Sequence, residues 1–219
     1  MNYFDLFPNV ELPSFSDKRR SSFDYITLKN LFKRGKIRDD IYGNVTAFSK
    51  YMVLDGERPD TVANKIYEDQ NLDWVVLISN NIINVQNEWP MGQYDFQRYL
   101  DNKYSPDQLG QIHHYETNEI RNKAGILLLQ GGLTVDADFT YKYTDVDGTL
   151  ESVNSVKSIS NIQYEITKND AKRSINLLRQ KYIGVIIDDM REIMTYTDSS
   201  QFINRKLKKG DNLRIAEPR

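Results

Sequence analysis

The chain has 219 residues, no cysteine and two histidines, with 39% hydrophobic residues, 27% charged residues and a formal net charge of −2. The missing cysteines exclude disulfide scaffolds, thiol nucleophiles and thiolate metal sites, and a metal centre resting on His113 and His114 would need mostly carboxylates, for which no clustered spacing is present. Fourteen Tyr, nine Phe and two Trp are too many aromatics for a disordered chain, and the longest apolar runs, at 74–78, 125–129 and 183–187, fall far short of the ~20 residues that span a bilayer.

The first residues lack both a basic leader and a long apolar run, so a soluble protein made in a reducing compartment is expected. The small net charge conceals a strong asymmetry. Residues 18–38 hold eight Lys or Arg against Asp24 alone, and residues 205–219 hold six against two acids, which leaves −13 for the rest. Two basic segments thus flank an acidic body. They read either as solvated tails or as surfaces lying along acidic neighbouring subunits. Nucleic acid is disfavoured, because neither segment interleaves aromatic and basic residues on a recognisable fold and the pI is about 5.8.

Residues 1–24 read as an extended arm. Pro8, Pro13 and the serines at 14, 16, 21 and 22 interrupt it, while Tyr3, Phe4, Leu6, Phe7 and Phe15 have no helical period and must find cover on the body or on another chain. Short strands are expected around residues 26–28 and 48–54, with a turn at residues 42–44. After the break at residues 55–60, Asp60 is a candidate N-cap for a helix whose Val62, Ala63, Ile66 and Tyr67 form one stripe. A second helix over residues 72–80 has a wide apolar face, from Trp74 to Ile78.

The Asn-rich run at 80–84 and Trp89-Pro90 suggest a rigid connector, followed by a helix at residues 93–104. Beyond it, residues 126–129 read as a strand, Phe139, Tyr141 and Tyr143 alternate as a half-exposed strand, and the segment from Val153 to Ile162 reads as strand and loop. Residues 164–167 and 173–178 read as a strand pair. A helix over 180–196 carries Tyr182, Ile183, Ile186, Ile187, Met190, Ile193 and Met194 on one broad stripe.

Asp145-Val146-Asp147-Gly148-Thr149-Leu150 matches the first motif of haloacid-dehalogenase-type phosphatases, in which the first Asp is the nucleophile and the second the general acid around magnesium. That chemistry needs a buried parallel strand before the motif, whereas the preceding segment alternates polar and apolar residues and Asp147-Gly148 is a hairpin signal. An EF-hand is excluded by the unfilled loop and non-helical flanks. His113-His114, in a polar stretch with Tyr115 and Glu116, reads as surface or interface. No phosphate loop, nucleophile elbow or Ser/His/Asp arrangement is present.

The block from Asp55-Gly56-Glu57-Arg58-Pro59-Asp60-Thr61-Val62-Ala63 through Ile66-Tyr67, Leu72-Asp73-Trp74-Val75-Val76-Leu77 and Asn80-Asn81-Ile82-Ile83 to Trp89-Pro90 resembles the baseplate wedge protein 53 family of T-even-like contractile-tailed phages. Weaker matches lie at Tyr3-Phe4, Phe7-Pro8, residues 26–38, His113 to Glu116 and residues 172–194. The same block is similar to a LysM-type strand–helix–helix–strand unit. That module binds N-acetylglucosamine polymers in cell-wall enzymes and serves as a protein adaptor in contractile tails. A glycan site wants an exposed ring in a polar groove, whereas residues 74–78 read as core, so the adaptor is favoured over a peptidoglycan binder, and both over a magnesium phosphatase working through Asp145 and Asp147.

The expected class is therefore α+β: an arm over 1–24, a LysM-like domain with its connector over 25–106, a mixed β-rich domain with a C-terminal amphipathic helix over 107–204, and a basic tail over 205–219. The resemblance implies a structural subunit without enzymatic activity or cofactor, located in the virion tail baseplate after assembly in the host cytoplasm. It would bind other wedge subunits and hub or tube proteins within a symmetric multi-subunit assembly, join neighbouring wedges around the central hub, and bind neither nucleic acid nor membrane. By residue type, the expected interface anchors are Tyr3, Phe4, Phe7, Lys33, Arg34, Trp89 and Pro90, since aromatics and Arg dominate binding energy.

Overall fold

A computed structural model of the chain describes residues 2–13 and 25–210. Phe15, the serines at 14, 16, 21 and 22, the basic residues 18–20 and the tail from 211 onward lie outside these residues. The fold is mixed α+β, with helices and several small sheets. It divides into two units, residues 1–89 with 174–219, and residues 90–173.

The first unit is organised by short, strongly apolar helices. Pro59 opens the helix Pro59–Tyr67 at a position where its missing N–H costs nothing. Asp60 is thus a first-turn residue, not the expected cap, because Arg58 already holds the extended conformation of the capping position. Val62, Ala63 and Tyr67 turn inward, and the helix stops at Glu68 in the left-handed region, φ 59°. The helix Asp73–Ser79 then buries Trp74, Val75, Val76 and Ser79 on one side.

The strand Phe48–Met52 precedes these helices, and its sheet partner is Ser174–Leu178, antiparallel with Ile175 opposite Tyr51 and Leu177 opposite Ser49. The strand–helix–helix order is therefore closed by a strand that arrives only after the whole second unit. Asn80 fastens this closure: its side chain donates to Asn176 O (2.9 Å) and accepts from Asn176 N (2.7 Å). The divisions between the two compact units fall at Trp89/Pro90 and Arg173/Ser174. The amphipathic helix Ile183–Ile193 belongs to the first unit, where Ile186, Met190 and Met194 share one core with Trp74, Leu177 and Leu178.

The arm is folded back into the same unit. A 3-10 turn, Tyr3–Leu6, leads to the buried Leu6 and Phe7, and Asn9–Pro13 is an inner strand of a four-stranded sheet. It pairs antiparallel with Tyr25–Lys29 and parallel with Leu207–Lys209, Asn9 lying opposite Leu207 and Glu11 opposite Lys209. Lys208 and Lys209 of the expected basic tail are therefore strand residues, and Phe202–Asn204 completes the sheet.

In the second unit the helix Gln93–Lys103 precedes a three-stranded antiparallel sheet, in the order Val156–Ser160, Ile112–Thr117, Thr134–Val135. Two hairpins are added, Ile120–Arg121 with Leu127–Leu129 and Tyr141–Thr144 with Leu150–Val153. Residues 164–167, expected as a strand, lie in the helix Asn161–Ala171. Ser160 and Gln163 form a reciprocal capping box that starts it, and the residues it buries are polar, Glu165 and Asn169, one turn apart. Glu165 accepts from Lys103 Nζ (2.5 Å), Tyr104 OH (3.0 Å) and Tyr99 OH (3.3 Å). Asn169 exchanges hydrogen bonds with the backbone of Met91.

Candidate functional site

Five of the seven anchors expected from residue type meet in the first unit, around one groove of about 350 Å³. The 3-10 turn brings Tyr3 over Trp74, stacked at 5.7 Å and 27°, with Phe7 edge-on to Tyr3 at 4.8 Å. Phe7 is 4% exposed and serves as a root for this wall, whereas Phe4, 60% exposed, stands at its lip against the rings of Tyr3 (5.8 Å) and Phe7 (5.7 Å). The floor comes from the outer face of the helix Asp73–Ser79, through Leu77 and Ile78, and from Ile82 and Ile83 just beyond. Asn81, at φ 55°, turns the chain there, and Ile82 N closes the helix end on Leu77 O (2.9 Å). Asn tolerates that conformation better than most side chains.

The opposite wall is the loop from Asn30 to Arg34. Asn30 N donates to Pro8 O (2.9 Å), and its buried side chain donates to the Tyr196 hydroxyl (2.8 Å), so the loop is tied to both the arm and the segment that follows the last helix. Leu31 is 66% exposed and Phe32 fully so. Lys33 Nζ donates to Ile193 O (3.0 Å) and Thr195 O (2.5 Å) where the helix Ile183–Ile193 ends, and lies 4.9 Å from the Tyr196 ring centre. Burial first, then the nearby Lys208 charge, pushes its ammonium below the usual lysine range. Arg34 is exposed and donates to Asn81 Oδ1 (3.0 Å).

Trp89 and Pro90 lie elsewhere. Trp89 is 6% exposed, and its Nε1 donates to Glu57 O (2.8 Å), which holds the turn before the helix Pro59–Tyr67. Pro90 is buried and begins the second unit. Residue type alone could not separate these two roots from lip residues such as Phe4. A sharper signal was available for Leu31, Phe32 and Ile83, apolar residues set among polar and basic neighbours, which the sequence reading did not select. Both tryptophans are buried, so neither offers the open ring on which a sugar would stack.

The acidic pair Asp145 and Asp147 occupies a hairpin turn. Gly148 takes φ 79°, its N–H donates to Asp145 O (2.9 Å), and Asp145 N donates to Thr149 O (2.9 Å). The flanking strands are antiparallel, so the buried parallel strand that would aim a nucleophilic Asp is not there. Val146 N–H (2.8 Å), then Lys123, hold the Asp145 carboxyl below its usual range, and Lys123 also reaches Asp147 (2.7 Å). The His113 ring stacks on Tyr164 at 3.9 Å and His114 Nε2 pairs with Glu116 Oε1 at 3.0 Å. Among the described residues no group of three or more His, Asp or Glu could hold a metal ion, and no helix is long and apolar enough to cross a membrane.

The described residues thus form small modules held by side chain-to-backbone ties, with the acids Asp145 and Glu165 in structural pairs and an apolar groove with cations on its rim. The model of the base plate wedge protein 53 family matches residues 4–124, more than half of the chain, and the chain belongs to that family. Its role is that of a structural component of a phage tail baseplate. No match was found among curated proteins. The matched segment contains every groove-lining residue except Tyr3.

Proposed function

We propose that the chain is the wedge subunit that joins neighbouring wedges around the central hub, binding other wedge subunits and hub or tube proteins, and that it is incorporated in the host cytoplasm into a symmetric assembly. The observation that carries this reading is the convergence of Phe4, Leu31, Ile83, Lys33 and Arg34 on one groove. Exposed aromatic and aliphatic side chains with cations at the edge match the composition of interface centres, where charged residues are otherwise scarce. The strand–helix–helix–strand order, closed from a distance, supports a LysM-like adaptor in this role. Tyr3 and Phe7 act from beneath, fixing the wall that carries Phe4.

The test is co-expression with the other wedge subunits of the same phage, followed by purification and electron microscopy of the assemblies. Phe4→Asp and Ile83→Asp change exposed positions, so both variants should keep the native circular dichroism spectrum and fail to enter the assembly. Incorporation of both at wild-type levels would remove the groove from the interface.

A further inference from the structure

We infer that the groove receives an apolar segment of another wedge subunit that carries carboxylates along one flank, and that Arg34 is the residue that selects for them. This rests on the docking role proposed above. Among the described residues the lining contains two cations, Lys33 and Arg34, and no carboxylate, the others being apolar or aromatic. Two neighbours in the same basic run are paired with acids, Lys36 with Asp39 (2.6 Å) and Arg38 with Asp40 and Asp189. Lys33 instead meets backbone carbonyls and the Tyr196 ring, which Lys208 also approaches at 5.3 Å, so positive charge accumulates at that end.

Arg34 has a neutral partner, Asn81, and a guanidinium offers five N–H donors in a planar fork that suits a carboxylate. It also lines an adjoining hollow of about 390 Å³ that shares Ile78 with the groove. A bound segment running along both would therefore pass directly over it. Helix-in-groove docking places apolar residues at i, i+3, i+4 and i+7 in the trough and leaves the flanks to charge.

A second copy of the chain is a poorer occupant. Its turn at Val146, 67% exposed, is flanked by Asp145 and Asp147, but Lys123 holds both carboxylates, and its fully exposed Phe32 lies in the basic run beside Lys33.

The experiment measures fluorescence anisotropy of two labelled amphipathic helical peptides, titrated with the full chain. They share one Leu/Phe pattern and differ only in carrying Glu or Lys on the flanks. The Glu peptide should bind at least about tenfold more tightly at ~50 mM salt, and the gap should narrow at ~300 mM as the charges are screened. Arg34→Glu should erase or invert the preference, while Phe4→Asp should weaken both peptides. Equal affinities, no binding of either peptide, or a preference untouched by Arg34→Glu would overturn the inference. So would self-association of the wild-type chain that Arg34→Glu abolishes, which would make a second copy the occupant. If Phe4→Asp blocks wedge assembly and Arg34→Glu does not, the docking role survives and the acidic partner alone is refuted.

Discussion

Replacing Lys103 by Met should destabilise the second unit in a pH-dependent way. Glu165 is almost fully buried, and its carboxylate accepts from Lys103, Tyr104 and Tyr99. Burial alone would raise its pKa, but the Lys103 and Tyr104 hydrogen bonds and the Lys103 charge outweigh burial and hold it below the usual range. A carboxyl depressed in the folded state contributes stability above its unfolded pKa, about 4.3, and loses it as pH falls through the folded value. Methionine keeps the aliphatic stem and removes the ammonium, so burial is opposed by Tyr104 and the Lys168 charge but no longer by Lys103, and the carboxyl rises from its depressed position.

Breaking a fully buried ion pair costs about 3–5 kcal/mol. Because the Lys103 side chain is 40% exposed and the two tyrosine hydroxyls remain, about 2 kcal/mol near neutral pH is the expected loss. That loss should shrink as pH falls below ~4 and through the depressed folded-state value of the wild-type carboxyl, where Glu165 becomes protonated in both proteins. Urea unfolding followed by far-ultraviolet circular dichroism at several pH values measures it. Tryptophan emission does not suffice, since Trp74 and Trp89 both lie in the first unit. In a Glu165→Gln background the Lys103 substitution should cost little. A loss independent of pH, or undiminished in that background, would refute the reasoning.

Gly35→Ala should destabilise the first unit by about 1–3 kcal/mol in the same denaturation assay, because an added Cβ would fall 2.0 Å from Sδ and Cε of Met190, itself 1% exposed. Tyr67→Phe should cost about 1 kcal/mol, since its buried hydroxyl donates to Leu178 O (2.8 Å) and removal leaves that carbonyl unpaired. Glu68→Gly should raise stability by about 0.5 kcal/mol, measured as a small gain in urea midpoint, because glycine accepts φ 59° without a Cβ clash and part of the gain is offset by the freedom of the unfolded chain.

What could be read from the sequence was governed by how local the physics was. The helices around residues 73–79 and 183–193 were legible because Trp74 to Val76 and Ile186 to Met190 are apolar where they face the core. The hairpin at Asp145 was legible because Asp-Gly favours the turn geometry by itself. The helix Asn161–Ala171 was not, since it turns Glu165 and Asn169 inward while Ile166 is exposed, the reverse of the pattern that periodicity detects. Neither the pairing of Phe48–Met52 with Ser174–Leu178 nor the two divisions between units could be read, because partners so distant leave no signal near either strand. For the groove, residue type picked out Phe4, Lys33 and Arg34, but the difference between Phe4 and Phe7 depends on depth, which only packing defines.

The parallel pairing of Asn9–Pro13 with Leu207–Lys209 has a consequence for the order of events during synthesis. An emerging chain has Phe4, Leu31 and Ile83 outside the ribosome long before residues 207–209 are made, yet the sheet that anchors the arm carrying Phe4 lacks its parallel neighbour until then. The helix Ile183–Ile193, whose end holds Lys33, arrives almost as late. The groove therefore becomes rigid only after residues 207–209 have been made, so fragments released before that point lack the sheet that anchors its wall.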